Sequence, residues 1–166
     1  MRAQHGFVPR EIDASVGCDF FSIPLDTEKG ETKLLVWDTA GQEVYKSFVP
    51  NFARNAVAAL IFYDLSAPSS AEELETWTEL IPETTTVILV PSKYDLVQGT
   101  NPDPIMINTG GRRLAHAKPI SSKENINVQA LLAQLADIVN QHRPEGFRPP
   151  ALRVTNAEKK DTCCRT

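Results

Sequence analysis

Six consecutive residues, Asp38-Thr39-Ala40-Gly41-Gln42-Glu43, hold the densest chemistry in the sequence. A carboxylate closing an apolar strand suits a hard cation such as magnesium, which takes oxygen ligands directly or through water. Glycine at 41 lets a backbone N–H approach a phosphate with no Cβ in the way. The amide of Gln42 can orient an attacking water, and phosphoryl transfer needs mainly positioning and charge stabilisation. Singly, each residue has an ordinary reading: a strand-end Asp38, a turn Gly41, an exposed Gln42. The unbroken string does not, because its chance occurrence in a chain this short is negligible.

A second place of interest is Cys163-Cys164, two residues from the carboxyl end and directly after a polar stretch, Glu158-Lys159-Lys160-Asp161-Thr162. Two readings stand, incidental surface thiols or double lipidation. Two chains matter physically, since one acyl or prenyl group binds membranes only marginally and a second makes the anchor stable.

Elements able to position these residues are visible in the apolar pattern. Phe20 to Leu25 reads as a strand, Lys29-Gly30 as a turn, and Thr32 to Trp37 as the antiparallel partner. Val57 to Tyr63 is a nearly continuous apolar run, expected of a strand covered on both faces. A helix is expected from Ser69 or Ser70, one of them as cap, carrying Leu74, Trp77, Leu80 and Ile81 and ending near Pro82. Thr86 to Val90 is a third buried strand, Gln98 to Pro104 a loop, and Pro119-Ile120 a short strand at most. Val128, Leu131, Leu132, Leu135 and Ile138 recur at helical spacing, so 128–139 is a docked helix.

Composition bounds the rest. The hydrophobic share of 42% and charged share of 23% fit one soluble globular domain. A net charge of -4 leaves no electrostatic footprint for nucleic acid. The three cysteines are not spaced as a disulfide framework or zinc site, and cytosolic residence is the default. From Arg143 the chain is proline- and charge-rich, as in Arg148-Pro149-Pro150, and a flexible tail is expected. His5 and His116 have no sequence partners for ligation or catalysis, so solvated positions are expected for both.

The Asp38–Glu43 string resembles the switch II motif of Ras-superfamily GTPases, and further blocks resemble the Rab family in order and spacing. Val16-Gly17-Cys18-Asp19-Phe20 is similar to the Rab effector-region pattern, and Lys33 to Trp37 to the interswitch strand. Tyr45-Lys46-Ser47-Phe48 with Asn55-Ala56 resembles the stretch after switch II, and Ile61 to Ser66 the next strand. The resemblance covers roughly residues 7 to 140. It implies an α/β fold of the P-loop NTPase (Ras-like) type, three layers with a mostly parallel sheet. GTP or GDP with Mg2+ are the implied cofactors.

By the same resemblance, Ser92-Lys93-Tyr94-Asp95 takes the place of the family's Asn-Lys-x-Asp. Asp95 would accept hydrogen bonds from guanine, and Lys93 would cover the base with its alkyl stem. Ser92 in place of Asn loses an amide that ties loops to the nucleotide, and Pro91 loses a backbone donor. Ser121-Ser122-Lys123 corresponds to Ser-Ala-Lys, where the N–H at Ser122 would read guanine O6. Ser15 falls at the switch I hydroxyl that meets magnesium, with Asp38 as the other metal-side residue. Gln42 would be the catalytic residue of GTP hydrolysis. Phe7 stands near an aromatic that packs on the base edge, with spacing one residue loose.

No Gly-x-x-x-x-Gly-Lys-Ser/Thr occurs in these 166 residues. In P-loop proteins that loop cradles the phosphates. In the family it lies between the first strand and first helix, and the first strand sits mid-sheet, between Leu34–Trp37 and Val57–Tyr63. The expectation is therefore an incomplete Rab-like domain over 1–142, lacking its central first strand, followed by a hypervariable tail, 143–166, with a Cys-Cys prenylation signal. About six buried side chains would lose partners, on the order of 10 kcal/mol, which rivals the whole stability of a domain. Two strands would gain bare edges. A truncated reading frame, splice form or pseudogene product of a Rab is the expected origin.

The function implied by the resemblance is a GTP/GDP switch in vesicle traffic, lipid-anchored on the cytoplasmic face of endomembranes with a cytosolic pool. Its implied partners are effector, exchange-factor, GTPase-activating and prenylation-escort proteins. The alternatives are a nucleotide-free Rab-like interaction protein and a nonfunctional fragment.

Overall fold

Val87, Ile88, Leu89 and Val90 alternate between two apolar layers and are fully buried, which makes their strand the centre of the molecule. In this computed structural model, residues 18–27, 30–40, 43–67, 69–97 and 102–142 are described. The strand, β4 (Thr86–Ser92), lies between β3 (Ala58–Asp64) and β5 (Leu114–His116), and both pairings are parallel. A continuous apolar run is what a parallel strand with helices on both faces requires.

One layer packs Ile61, Tyr63, Val87 and Leu89 against Val49 and Ala53 of α1 (Val49–Ala53), with Leu74 and Ile81. Here the sequence expectation of one helix from Ser69 to Pro82 is corrected. The segment forms α2 (Ser69–Glu72) and α3 (Leu74–Glu79), interrupted at Glu73, whose φ -90° and ψ -5° lie at the shallow edge of the right-handed helical region. The expected serine cap also differs, because the Ser70 hydroxyl accepts the Asp64 N–H at 2.8 Å.

The other layer packs Ile88, Val90, Ala117 and Ile120 against Leu131 of α4 (Val128–Gln141). The expected strand at Pro119-Ile120 is not formed; the third parallel strand lies earlier, at Leu114–His116. Ile120 is nonetheless buried and donates its N–H to Pro91 O at 2.8 Å, a single hydrogen bond along β4 rather than a ladder. His116, expected in solvent, is half-buried in β5.

The hairpin is as expected. β1 (Cys18–Thr27) pairs antiparallel with β2 (Gly30–Thr39), setting Phe21 opposite Val36 and Ile23 opposite Leu34. Ile23 and Leu34 are buried against Leu132 of α4, with Phe21, Val36, Leu135 and Val139 around them. The hairpin is a sheet of its own: among the described residues no strand joins β2 to β3. Helix α4 is the common support, its Leu131 facing the parallel sheet and its Leu132 the hairpin.

Candidate functional site

In open α/β sheets ligands collect beyond the carboxyl ends of the strands, and the sequence-selected polar residues gather there. Ser92 closes β4, donating its hydroxyl to Tyr63 O at 2.7 Å and so tying β4 to β3. Lys93 follows at φ 59° and ψ 36°, a left-handed conformation that costs a non-glycine residue energy. It turns the chain into the short 3-10 segment Tyr94–Leu96. The Lys93 ammonium ion-pairs with Asp64 at the end of β3.

Asp95 and Ser121 form the core of this corner. The buried Ser121 hydroxyl donates to Asp95 Oδ1 at 2.6 Å and accepts the Glu124 N–H at 3.0 Å. Tyr94 N–H donates to Ile120 O at 3.0 Å, binding the two loops together. The Ser121–Lys123 turn is closed by an antiparallel bridge from Ser121 to Ile126 and by Asn125 at φ 59°. Ser122 and Lys123 project into solvent.

Asp95 Oδ2 and the Ser122 N–H have no hydrogen-bond partner among the described residues. A carboxylate oxygen can accept from a planar heterocycle, and a backbone N–H can donate to one. The groups present would fit a guanine-like edge, with Asp95 to accept its N–H groups and the Ser122 N–H to meet its carbonyl. No phosphate cradle is found among the described residues to extend that fit.

Asp64 takes part although sequence reasoning gave it no role. Its carboxyl is lowered to about 2, first by the Lys93 hydrogen bond and then by Ser66. Its place beside the Lys93 strand end emerges only in the fold, where β3 and β4 pair in parallel.

Asp38 stands elsewhere, exposed near the end of β2. Its register partner is Asp19, and like charges directly opposite each other are unfavourable unless a cation intervenes. The two carboxylates also help to raise the Cys18 thiol, after burial as the larger cause. Among the described residues no group of three His, Cys, Asp or Glu could hold a metal. Ser15, Gly41, Gln42, Cys163, Cys164 and Phe7 lie outside the described residues.

A second feature escaped the sequence reading. Phe20 and Trp37 face each other across the hairpin, ring centroids 4.7 Å apart, and both are about half exposed, 52% and 51%. Trp37 also meets Phe52 of α1 at 5.3 Å. Leu35 on the same face of β2 is 63% exposed. The signal was present: in a hairpin with one buried face, apolar residues at the outward positions break the alternation. Such patches mark surfaces for partners.

A parallel sheet packed on both faces, with polar residues gathered at its strand ends, defines an α/β protein of the open-sheet kind. The Ras family matches residues 3–141, and the chain belongs to that family. The similarity is to Rab proteins in particular. Human Ras-related protein Rab-3D is 30% identical over 165 residues, covering 94% of this chain and 73% of the relative. Rat Ras-related protein Rab-26 is 28% identical, covering 96% of this chain and 65% of the relative. GTP-binding protein ypt5 of Schizosaccharomyces pombe is 37% identical over 92 residues, 52% of this chain and 43% of the relative. The chain is thus a Rab-like small GTPase by family, with the Ras-like α/β fold that the sequence implied.

Proposed function

We propose that the chain is the guanine-reading and effector-facing part of a Rab-like GTP/GDP switch in vesicle-mediated transport. The observation that carries this is the Asp95–Ser121 pair, which holds a carboxylate with one oxygen still able to accept. Asp95 would bind the guanine edge, the Ser122 N–H its carbonyl, and Ser92, Lys93 and Lys123 would frame the base. Gly41 would bring its backbone N–H to the phosphate side. Ser15 and Asp38 would hold the magnesium, whose charge offsets that of the phosphates. Gln42 would orient the attacking water. The Phe20–Trp37–Phe52 cluster would dock effectors, because aromatic rings concentrate binding energy in partner interfaces.

The family's exchange-factor, GTPase-activating and prenylation-escort proteins are the remaining proposed partners. Residues 143–166 would form the tail, with lipids on Cys163 and Cys164 for attachment to the cytoplasmic face of endomembranes. No helix among the described residues is long and apolar enough to cross a membrane, and a lipid anchor does not require one.

The test is a titration of the purified chain with guanine and adenine nucleotides in magnesium buffer, followed by amide shifts at Asp95 and Ser121–Lys123. Guanine-selective shifts are expected, weak because no Gly-x-x-x-x-Gly-Lys-Ser/Thr occurs in the 166 residues. Equal response to both purines would refute guanine reading.

A second reading is a nucleotide-free interaction protein of the same family. It is favoured by the Ser92 hydroxyl, which is committed to Tyr63 O. Effector binding that is unchanged by nucleotide and lost in Trp37→Ala would support it.

A further inference from the structure

Asp64 carries more contacts than a turn residue at the end of β3 needs. Oδ1 accepts from the Ser66 N–H at 2.8 Å and from the Ser66 hydroxyl at 2.7 Å, the local pattern of an Asx turn. Oδ2 is then left over, and it reaches the neighbouring strand end to pair with Lys93 Nζ. The backbone N–H of Asp64 is fixed as well, donating to the Ser70 hydroxyl at 2.8 Å. Asp64 is accordingly the anchored member of the pair, its side chain 18% exposed against 59% for Lys93.

Lys93 is held at both ends. Its backbone is left-handed at φ 59°, and its ammonium is pinned to Asp64. A lysine stem loses much rotamer freedom when ordered. The ion pair biases that stem toward Asp64 before any ligand is present, two residues before Asp95 in the chain.

We infer that Asp64 is a positioning residue for base binding, acting through Lys93 by stretching its alkyl stem beside the Asp95–Ser121 corner. This rests on the guanine reading proposed above. The ligand class it serves is a flat purine base, which packs on an apolar stem while its edge bonds to Asp95. Ser66 holds the carboxylate and Ser70 the Asp64 backbone N–H, and Lys93 is the only cation the structure places on the carboxylate among the described residues.

Asp64→Asn isolates the effect. Asparagine keeps an Oδ1 for the Ser66 N–H and so keeps the turn, but it removes the charge that holds Lys93. Lys93→Met is the complement, keeping an apolar side chain and losing the ammonium. The full chain is titrated with GMP by amide NMR, for the parent, both single variants and the double variant. An exposed pair of this kind predicts a loss of roughly two- to fivefold in GMP affinity for each single variant. The double variant should lose no more than either single one, since Asp64 acts only through Lys93. The Lys93 side-chain NH3 signal should be visible in the parent and lost to exchange in Asp64→Asn.

GMP binding by Asp64→Asn equal to the parent would overturn the inference and leave the guanine reading standing. Additive losses in the double variant would also overturn it, showing a separate structural role for Asp64. Absence of GMP shifts at Asp95 and Ser121–Lys123 in the parent would overturn the guanine reading, and the inference with it. An unchanged Glu124 amide, bonded to Ser121, shows that a variant retains the corner.

Discussion

Leu131 and Leu132 are neighbours on α4 with the same small exposure, 7% each, yet they serve different sheets. Leu131 packs with Ile88, Val90, Ala117 and Ile120, and Leu132 with Ile23 and Leu34. Truncating a buried leucine to alanine costs about 2–5 kcal/mol, from lost transfer energy and the cavity left behind. For Leu131→Ala that cost falls on the central sheet and lowers global stability. For Leu132→Ala it falls on the hairpin, and an isolated two-stranded hairpin is marginally stable at best in water. The remaining described attachments of the hairpin are the outer members of the same cluster and the Trp37–Phe52 contact. Native-state hydrogen exchange distinguishes the two outcomes. In Leu132→Ala, amides of 18–39 should lose about 2–5 kcal/mol of protection while those of 86–92 keep most of theirs. In Leu131→Ala both sets should fall together. Equal loss in both segments for Leu132→Ala would refute the view that the hairpin is held separately through α4.

Ser121→Ala removes the donor to Asp95 and the acceptor for Glu124 N–H, and urea unfolding should show a loss of about 1–3 kcal/mol. For Asp64 the sign follows from its lowered carboxyl, about 2 against an ordinary 3.8. Its contribution is present above the unfolded value and is lost as pH falls through the folded one. The shift alone would give ~2.5 kcal/mol, but Lys93 is well exposed and screening leaves ~1 kcal/mol or less. The stability gap between the parent and Asp64→Asn should therefore shrink by about half between pH 6 and pH 3 in urea titrations; a constant gap would contradict the pairing. Lys46→Ala removes an ion pair to Glu73 at 3.0 Å and a cation-π contact with Trp77 at 4.8 Å. Faster exchange confined to 43–48 is expected, with little change in melting.

The features legible in the sequence were those with strong local patterns. The hairpin showed in two apolar-rich runs flanking Lys29-Gly30, β4 in its unbroken apolar run, and α4 in leucines at helical spacing. β5 did not, because Leu-Ala-His is three residues long and its pairing depends on β4 rather than on its own propensity. Pro119-Ile120 reads as a short strand at most, and in the fold Ile120 is buried with one backbone hydrogen bond to β4. The break at Glu73 had no glycine or proline to announce it. In the site, motif spacing located Ser92, Lys93, Asp95 and Ser121–Lys123, and the fold brings them to one corner. The Asp64–Lys93 pair was not legible, since it joins residues 29 positions apart that meet only because β3 and β4 run parallel.

The ring contacts of Trp37 also give the protein a gauge of its own shape. Of its two tryptophans, one lies between the hairpin and α1, touching Phe20 on one side and Phe52 on the other. Emission from that indole depends on how far these two elements stand apart and on how much water reaches between them. With Trp77 replaced by phenylalanine, fluorescence of the unlabelled protein would follow a partner covering that face or the hairpin lifting from α1. Covering should shift the emission to the blue and shield it from iodide, whereas lifting should do the opposite. One optical signal thus separates occupation of the aromatic face from its disassembly.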